Sequence, residues 1–491
     1  MKQKAVPAIL GVLLVVFYAL WLLWPITIIT ADIGRHITDG RIFFEFPQWR
    51  HALLHTNFYS TSHPDFPIVN HHWLAGLLFY VIQAAIGWKG LHLFVIALCM
   101  TALLLFVRLA ARFSNGAIAS AIAILLLPMI AYRLEIRPEF FGYLFMGLIC
   151  SVLAIKKYLY ALPVIMVLWV NIHASFPLGI ALIGLCTVDA VLRNSPLRLK
   201  LSTILVISTL ATLINPSGIA GALYPFGILR DPGYAVLENQ AVLFLKGIGI
   251  TSTAFTYLAG ATVLYVVAVF VLLRRKILRE HWPYVVMSGL MILMSWLAVR
   301  HIAMTALLLI PVFAAAIPRT RLIYITGGIL VTMSLLWQGY TLSHRWLVLG
   351  LEPNANNAAM FMKKQEINGP MFNNFDIGGY AIYHFFPEIK PFAYNRPESH
   401  PSAFWRDVFI PMMQDDSVWY RELEKYDFNV ILFYYGDRTP WAQEFLKARI
   451  NDIAWIPVFA DRNNIIFVRD KAENWKVIQD FGIPKDTFVF K

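Results

Sequence analysis

Charged residues are scarce in this sequence, and cysteine is nearly absent. Only 14% of the 491 residues are charged, whereas an ordinary soluble domain is about 25% charged. The cysteines Cys99, Cys150 and Cys186 all lie in apolar runs. The polar C-terminal part has none, so no disulfide framework supports it, and the redox compartment cannot be read from cysteine usage. With 58% hydrophobic residues and a mean hydropathy of +0.61, the composition indicates an integral membrane protein.

Several catalytic motifs are also missing. The sequence has no P-loop motif, which excludes a P-loop ATPase, and it contains neither GxSxG nor HExxH. The formal net charge of +12 would suggest a nucleic-acid partner in a soluble protein. Here many basic residues flank apolar runs, so we attribute the charge to membrane topology and lipid headgroups, and we expect no nucleic-acid partner.

Twelve apolar runs cover most of the chain up to residue 341. Lys and Arg accumulate in cytoplasmic loops, and the chain has six basic clusters, which can all be cytoplasmic only if one early run does not cross the membrane. The clusters are Lys2/Lys4, Arg108/Arg112, Lys156/Lys157, Arg193/Arg198/Lys200, Arg274/Arg275/Lys276/Arg279 and Arg319/Arg321. The run 73–86 is the shortest and falls below the ~17 residues that a crossing helix needs. We therefore predict that it is an interfacial or re-entrant helix. The runs lie near 6–29, 73–86, 91–111, 116–132, 139–155, 158–172, 175–192, 201–215, 252–273, 283–299, 302–317 and 322–341.

These runs predict a polytopic α-helical protein of the cell (inner or plasma) membrane with about 11 spans. The apolar run after Lys4 is too long for a signal peptide, so we interpret it as a retained first helix with a cytoplasmic N-terminus. Residues 1–344 form the predicted transmembrane domain, whose first extracytoplasmic loop is 31–72. Residues 345–491 form a predicted extracytoplasmic α/β domain. Its expected strands are 369–373, 430–434, 455–460 and 464–468, and its expected helices are 354–364 and 440–450.

The first outside loop opens with Asp32 and His36, four residues apart. This spacing places both side chains on one face of a helix. Ionisable residues at a membrane boundary are functional candidates, although Asp32 also suits the role of a helix cap. His72 ends the loop beside His71, and two adjacent histidines on a helix cannot easily bind one metal ion. We favour an interfacial role there.

Other polar motifs fall on the same predicted side of the membrane. Arg137 and Glu139 flank a proline at a helix start, where they pair with one another or Arg137 binds an anionic group. Arg300-His301 could bind an anionic headgroup or simply form a charged loop. The polar turn that contains Asn171 and His173 has either a functional-site role or a structural role. The remaining candidates are Asp376 before Gly378-Gly379, in a turn that suits close approach to a ligand, and Arg396, whose surroundings resemble those of Arg137.

Four of these motifs recur in a known arrangement. They are Asp32/His36/Gly40, Arg137/Pro138, Asn171/His173 and Asp376/Gly378/Gly379/Tyr380. With the inside N-terminus and the outside tail, the pattern resembles the GT-C superfamily of membrane glycosyltransferases. That superfamily includes protein mannosyltransferases, the aminoarabinose transferase of lipid A and oligosaccharyltransferases. More narrowly, the pattern looks like a group of bacterial membrane proteins with these four motifs. The mannosyltransferases usually carry paired acidic residues in the first loop, whereas Ile33 follows Asp32 here.

The resemblance implies transfer of a sugar from a polyprenyl-phosphate carrier at the outer membrane face. Asp32 would be the general base and His36 would orient it, while Arg137 and Arg300 would hold the departing phosphate. The implied partners are a polyprenyl-phosphate-linked sugar donor, membrane lipid, and a glycan, lipid or protein acceptor. The need for a divalent metal ion stays open. The further expected substrate-binding residues are Glu139, Asn171, His173, His301, His72, Asp376 and Arg396.

Two other functions compete with this interpretation. A transporter or flippase predicts polar residues in mid-membrane and paired broken helices, but here the polar motifs gather at one face. A non-catalytic membrane scaffold, whose tail binds a partner in the cell envelope, predicts that Asp32→Asn leaves function intact.

Overall fold

The computed structural model describes residues 2–227 and 233–488. Within these residues the N-terminal two thirds are helical, and the tail adds a small sheet. The first helices are α1 (Lys2–Leu22), α2 (Ile33–Glu45), α3 (Arg50–His55), α4 (Trp73–Phe113), α5 (Gly116–Ile130), α6 (Glu139–Ile155), α7 (Ala161–Ile172), α8 (Pro177–Leu192), α9 (Arg198–Ala211), α10 (Gly218–Gly227), α11 (Val242–Gly247), α12 (Thr253–Arg274), α13 (Leu278–Leu297), α14 (Ile302–Ala316) and α15 (Arg321–Ser343).

The tail contains short helices around four strands. The strands are β1 (Met371–Asn373), β2 (Val430–Tyr434), β3 (Trp455–Ala460) and β4 (Asn464–Arg469). The helices are α16 (Asn357–Lys364), α17 (Gly378–Phe385), α18 (Ser402–Phe404), α19 (Ile410–Gln414), α20 (Asp416–Tyr426), α21 (Pro440–Asn451) and α22 (Trp475–Phe481).

The chain divides into two compact units that do not follow its linear order. The first unit comprises the described parts of Met1–Pro25, His92–Pro225 and Ala235–Leu349. The second unit comprises the described parts of Ile26–Leu91, Phe226–Tyr234 and Gly350–Lys491.

The first unit is built around α14, whose residues are all buried and which packs against α5, α12 and α13. The outward faces of α12 and α15 expose large apolar side chains such as Val263, Phe270 and Leu336. A helix that is apolar on its exposed face suits a lipid environment. Inside the unit, the Gln338 side chain accepts a hydrogen bond from the Trp21 indole at 3.0 Å and donates one to a carbonyl of α5 at 3.1 Å.

By length and apolar composition, four stretches of helix are long enough to cross a membrane. Shorter apolar helices account for other predicted runs; α7 has 12 residues and extends only ~18 Å at 1.5 Å per residue. The number of crossings therefore stays a prediction. The long stretches are Trp73–Phe113, Thr253–Arg274, Val299–Ala316 and Arg321–Ser343.

The predicted runs 73–86 and 91–111 form two helical segments of α4, which are separated by a kink at Gly87. Gly87 has φ +68° and ψ −175°, a conformation that glycine adopts without steric cost. The interruption lies between the two apolar runs. The sequence pattern therefore located the break between the two helical segments.

In the second unit, the four strands form one sheet in the order β1-β2-β4-β3. β1 pairs with β2 in parallel, with Met371 opposite Val430, and the other pairs are antiparallel. The expected strands and the closing antiparallel pair are thus confirmed. The sheet packs on a cluster of aromatic side chains that includes the buried Phe372, Trp419 and Phe445.

The segment 31–72 packs with the tail inside this second unit. α2 contacts α17, and a guanidinium nitrogen of Arg41 donates to the Phe386 carbonyl at 2.8 Å. The Ser60 hydroxyl donates to the Phe392 carbonyl at 3.0 Å. The sequence predicts that residues 1–344 form a transmembrane domain and that residues 345–491 form a domain outside the membrane. This division depends on where the membrane lies, and it stays a prediction.

Candidate functional site

Helix α2 carries the first group of candidate residues. Asp32 directly precedes the helix, and His36 lies in its first turns. α2 and α4 approach closely because glycines meet at the crossing: a Cβ on Gly40 would lie 2.3 Å from the Cβ of Tyr80 and 2.5 Å from the Gly76 carbonyl oxygen. This close approach buries the side chains of α2 that face α4, including His36, which is 0% exposed.

A fully buried carboxylate, Asp39, lies one helical turn after His36. The Tyr59 hydroxyl donates to Asp39 Oδ1 at 2.8 Å, and the Asn70 amide donates to Oδ2 at 3.4 Å. A guanidinium nitrogen of Arg35 lies 3.5 Å and His36 Nδ1 lies 3.9 Å from Oδ2. We call these five residues the Asp39 cluster.

Burial dominates the electrostatics of the Asp39 cluster. It raises the pKa of the Asp39 carboxyl above its usual range, although the charge of Arg35 and the hydrogen bond from Tyr59 act in the opposite direction. The charges of Arg35 and Arg396 and the two neutral donors are thus too few to offset the loss of water around this carboxyl.

Two further predicted residues, His72 and Arg396, lie beside this cluster. The His72 ring packs edge-on against His36, with 5.2 Å between ring centroids. Arg396 is buried, donates to the Val69 carbonyl at 2.5 Å and bonds Glu398 at 3.0 Å. Its charge also acts on Asp39. Asp376 lies in the turn between β1 and α17, where its carboxylate acts electrostatically on Tyr234 and Tyr434.

The first unit holds a second group of charged residues. Between α5 and α6 the segment 133–139 alternates arginine and glutamate. Arg133 bonds Glu139 at 3.0 Å, and Arg137 bonds Glu135 at 2.7 Å. Pro138 directly precedes α6 and carries this segment into the helix.

A third glutamate, Glu238, links these arginines with Arg300. Glu238 lies in the short 3-10 turn Leu237–Asn239. Its Oε2 is 2.5 Å from Arg133 and 3.1 Å from Arg137, and its Oε1 is 3.8 Å from Arg300. Arg300 also donates to Asn239 at 2.8 Å. We call the six charged residues the arginine–glutamate cluster: Arg133, Glu135, Arg137, Glu139, Glu238 and Arg300.

Charge outweighs burial in the arginine–glutamate cluster. Burial alone would raise the pKa of the Glu238 carboxyl, but the charges of Arg133, Arg137 and Arg300 hold that pKa well below its usual range. Glu238 is therefore ionised at neutral pH.

The polar turn between α7 and α8 lies within electrostatic range of this cluster. His173 Nδ1 is 2.7 Å from the Ser175 hydroxyl. Burial, together with the charges of Arg300 and Arg133, lowers the pKa of His173 to about 3, so its imidazole is neutral at physiological pH. The Asn171 amide donates to the carbonyls of Val167 and Ile214, both at 2.8 Å, which ties α7 to the chain after α9.

The structure thus gathers Arg137, Glu139, Arg300 and His173 in one unit, with His301 in the 3-10 turn Val299–His301 beside Arg300. The predicted site residues do not include Asp39, Arg133 or Glu238. A signal existed for the first two. Asp39 follows Asp32 by seven residues, on the helix face that His36 shares. Arg133 begins the charge alternation that precedes α6. Glu238 gave no such signal.

Among residues 2–227 and 233–488, no group of three or more His, Cys, Asp or Glu side chains is arranged to hold a metal ion. The sequence left open whether a divalent metal ion is needed, and the described residues show no site for such an ion.

No protein-family model and no curated protein matches the chain. Solved structures do. The Archaeoglobus fulgidus oligosaccharyltransferase, tethered with an acceptor peptide containing the NVT sequon, has a TM-score of 0.59 and 11% identity over 95% of this chain and 74% of that chain. The oligosaccharyltransferase AglB from Archaeoglobus fulgidus, in complex with an inhibitory peptide and a dolichol-phosphate, has a TM-score of 0.58 and 10% identity over 94% of this chain and 74% of that chain. ArnT from Cupriavidus metallidurans in the apo state has a TM-score of 0.57 and 12% identity over 99% and 100%.

These neighbours are GT-C glycosyltransferases. The likeness extends over nearly the whole chain, so the chain has the GT-C fold. This confirms the resemblance inferred from sequence, and it confirms a mostly helical fold with apolar helices and a small C-terminal sheet.

Proposed function

We propose that this chain is a membrane glycosyltransferase that moves a sugar from a polyprenyl-phosphate carrier to a glycan, lipid or protein acceptor. A shared fold does not decide an activity, so the proposal rests on the arginine–glutamate cluster. Three guanidinium groups meet there around one carboxylate, in surroundings that suit a phosphate. The fold supports the proposal, because a neighbour of the same fold was solved in complex with a dolichol-phosphate.

The cations supply the stabilisation that a departing phosphate needs. As the bond between the anomeric carbon and the phosphate oxygen breaks, negative charge grows on the phosphate. Arg137 and Arg300, joined by Arg133, are fixed cations that can hold this charge, and guanidinium groups bind phosphate through paired hydrogen bonds. Neutral His173 adds a hydrogen-bonding group without adding charge.

Asp32 is the proposed general base. Its carboxylate takes the proton of the acceptor hydroxyl while that oxygen attacks the anomeric carbon, and the polyprenyl phosphate leaves. His36 orients Asp32. The nearby Asp39 carboxylate, 3.9 Å from His36 Nδ1, acts on the electrostatics of the imidazole. Substrate contacts of Glu139, Asn171, His301, His72, Asp376 and Arg396 belong to the same proposal.

The proposed topology has about 11 crossings, an interfacial segment at 73–86, a cytoplasmic N-terminus and an outside tail in the cell membrane. The test is a pair of reporters fused after Leu342, one active only in the cytoplasm and one active only outside it. We expect activity from the outside reporter alone, and activity from the cytoplasmic reporter would overturn the topology.

The activity is tested with purified protein and a panel of polyprenyl-phosphate-linked sugars, with and without a divalent cation, by measuring release of polyprenyl phosphate. The cation is included because the archaeal neighbour was also solved in complex with Zn and sulfate. General base catalysis contributes about 10²–10⁴-fold, so Asp32→Asn is expected to lose activity by that factor while expression is unchanged.

The matched control for Asp32→Asn is Asp65→Asn. Asp65 is an exposed carboxylate of the same segment, and its substitution should leave the release rate near the wild-type value. Full activity in Asp32→Asn would reject the base assignment. Failure of the wild-type protein to release polyprenyl phosphate from any donor would favour a scaffold or a transporter.

A further inference from the structure

The arginine–glutamate cluster has a balanced set of charges. Two of its pairs, Arg133 with Glu139 and Arg137 with Glu135, come from one short segment and are neighbours in sequence. Glu238 is different, because it is 105 residues from Arg133 and reaches all three arginines. Three arginines and three glutamates give no net charge, whereas removal of Glu238 alone leaves one excess positive charge.

The carboxylate of Glu238 makes the contacts that a phosphate group would make. One oxygen meets Arg133 and Arg137 at 2.5 Å and 3.1 Å, and the other faces Arg300 at 3.8 Å. A phosphate oxygen has the same preference for guanidinium donors and the same tolerance for several of them. The position between the three arginines is therefore an anion site that is filled by a side chain of the chain itself.

Part of the cluster, including Glu238, is exposed. The Arg133 and Glu139 side chains are 9% and 8% exposed, whereas those of Glu238, Arg300 and Glu135 are 22%, 27% and 38% exposed. Glu238 sits on a three-residue 3-10 turn rather than on a long helix. Short 3-10 turns commonly serve as connectors, and withdrawal of the carboxylate requires a shift of this turn only, not of the packed helices.

From these contacts we infer that the Glu238 carboxylate is an exchangeable occupant of a phosphate site, and that the phosphate of a lipid-linked donor displaces it to bind Arg133, Arg137 and Arg300. The inference rests on the proposed function, since it names the ligand of the same cluster. Before exchange the cluster is neutral. After exchange the excess positive charge meets the negative charge of the phosphate, so the cations stay paired throughout.

The test measures binding of farnesyl phosphate to the purified full chain in detergent micelles. Farnesol serves as the uncharged lipid control, and inorganic phosphate serves as the lipid-free control. Removing the competing anion in Glu238→Gln is expected to tighten binding of farnesyl phosphate about tenfold or more. Farnesol binding should stay unchanged. Tighter binding of inorganic phosphate by the same factor would show that the site selects the phosphate alone and not the lipid.

The matched control is Glu280→Gln, which removes one negative charge from an exposed position of α13 in the same unit and should not alter binding. Glu238→Asp is the second variant. This variant keeps the cluster neutral but withdraws the carboxylate by one methylene. It should therefore bind farnesyl phosphate several-fold more tightly than wild type does, and it provides this test even if the Gln variant does not fold.

Two outcomes separate failure of the exchange from failure of the proposed function. If Arg300→Gln weakens farnesyl phosphate binding but neither Glu238 variant tightens it, the arginines bind phosphate and the exchange is wrong. If Arg300→Gln has no effect on binding, the cluster is not the phosphate site, and both the exchange and the phosphate role in the proposed function are rejected.

Discussion

The two charged clusters treat a carboxylate in opposite ways. Asp39 is fully buried beside one arginine, and burial raises the pKa of its carboxyl. Glu238 is partly exposed among three arginines, and their charges lower its pKa. The number of cations within reach, set against the loss of water, decides the outcome. The Asp39 cluster, whose carboxylate is fully buried, therefore depends less on the negative charge of that carboxylate than the arginine–glutamate cluster depends on the charge of Glu238.

The largest expected effect is the loss of catalysis when a cation is removed from the arginine–glutamate cluster. Removing a fixed cation from a site of developing negative charge costs about 10²–10³-fold in rate, so Arg300→Gln should lower kcat/KM for polyprenyl phosphate release by at least that factor. The measurement is steady-state kinetics on the purified protein. Arg279→Gln, at an exposed position of α13, is the matched loss of one cation and should act like wild type. Equal effects of the two variants would contradict the assignment of Arg300.

The second prediction compares the stability effects of losing each carboxylate charge. Glu238→Gln takes away charged hydrogen bonds, each worth about 1.5–3 kcal/mol, and should lower the free energy of unfolding by that amount. Asp39→Asn keeps an oxygen for Tyr59 and should stay within about 1 kcal/mol of wild type. Thermal or denaturant unfolding in detergent measures both variants. A larger loss in Asp39→Asn than in Glu238→Gln would reverse the comparison.

The Asp39 cluster depends instead on close helix packing. Gly40→Ala would place a Cβ within 2.5 Å of the Gly76 carbonyl oxygen, and overpacking of this kind costs about 1–3 kcal/mol. We expect a lower unfolding midpoint for this variant. The matched control is Gly184→Ala in α8, where a Cβ meets nothing within 4 Å and the change should stabilise the helix by about 0.5–1 kcal/mol. An unchanged unfolding midpoint in Gly40→Ala would show that α2 and α4 do not pack closely at Gly40.

The smallest expected effect is a difference in pH dependence. Because the pKa of Asp39 is raised in the folded state, its contribution to stability is present below its ordinary value of 3.8 and is lost as the pH rises through the folded pKa. Because the pKa of Glu238 is lowered, its contribution is present above the ordinary value of 4.5 and is lost only at strongly acid pH. The contributions of Asp39 and Glu238 to stability therefore change with pH in opposite directions.

Unfolding midpoints of wild type and both carboxylate variants, measured from about pH 5 to about pH 8, check these signs. The deficit of Glu238→Gln relative to wild type should stay constant over this range. The unfolding midpoint of wild type relative to that of Asp39→Asn should fall as the pH rises. A deficit of Glu238→Gln that disappears at pH 5 would contradict the role of the three arginines.

Much of the fold followed from local patterns. The short apolar stretches at β2 and β3 were predicted within a residue of their bounds, because buried strands of a small domain are continuous runs bounded by turns. The break at Gly87 matched the gap between two apolar runs. The crossing of α2 and α4 was not predicted, since it depends on Gly40 and Gly76 meeting from segments 36 residues apart.

The sequence by itself determined the membrane class, the small C-terminal α/β sheet and the identity of the charged residues, because composition, periodicity and net charge are properties of the chain alone. Only the tertiary structure decided which charges meet. Glu238 reaches Arg133 across 105 residues, and Tyr59 reaches Asp39 across 20. Pairing and protonation depend on distance and burial, and packing alone sets both quantities.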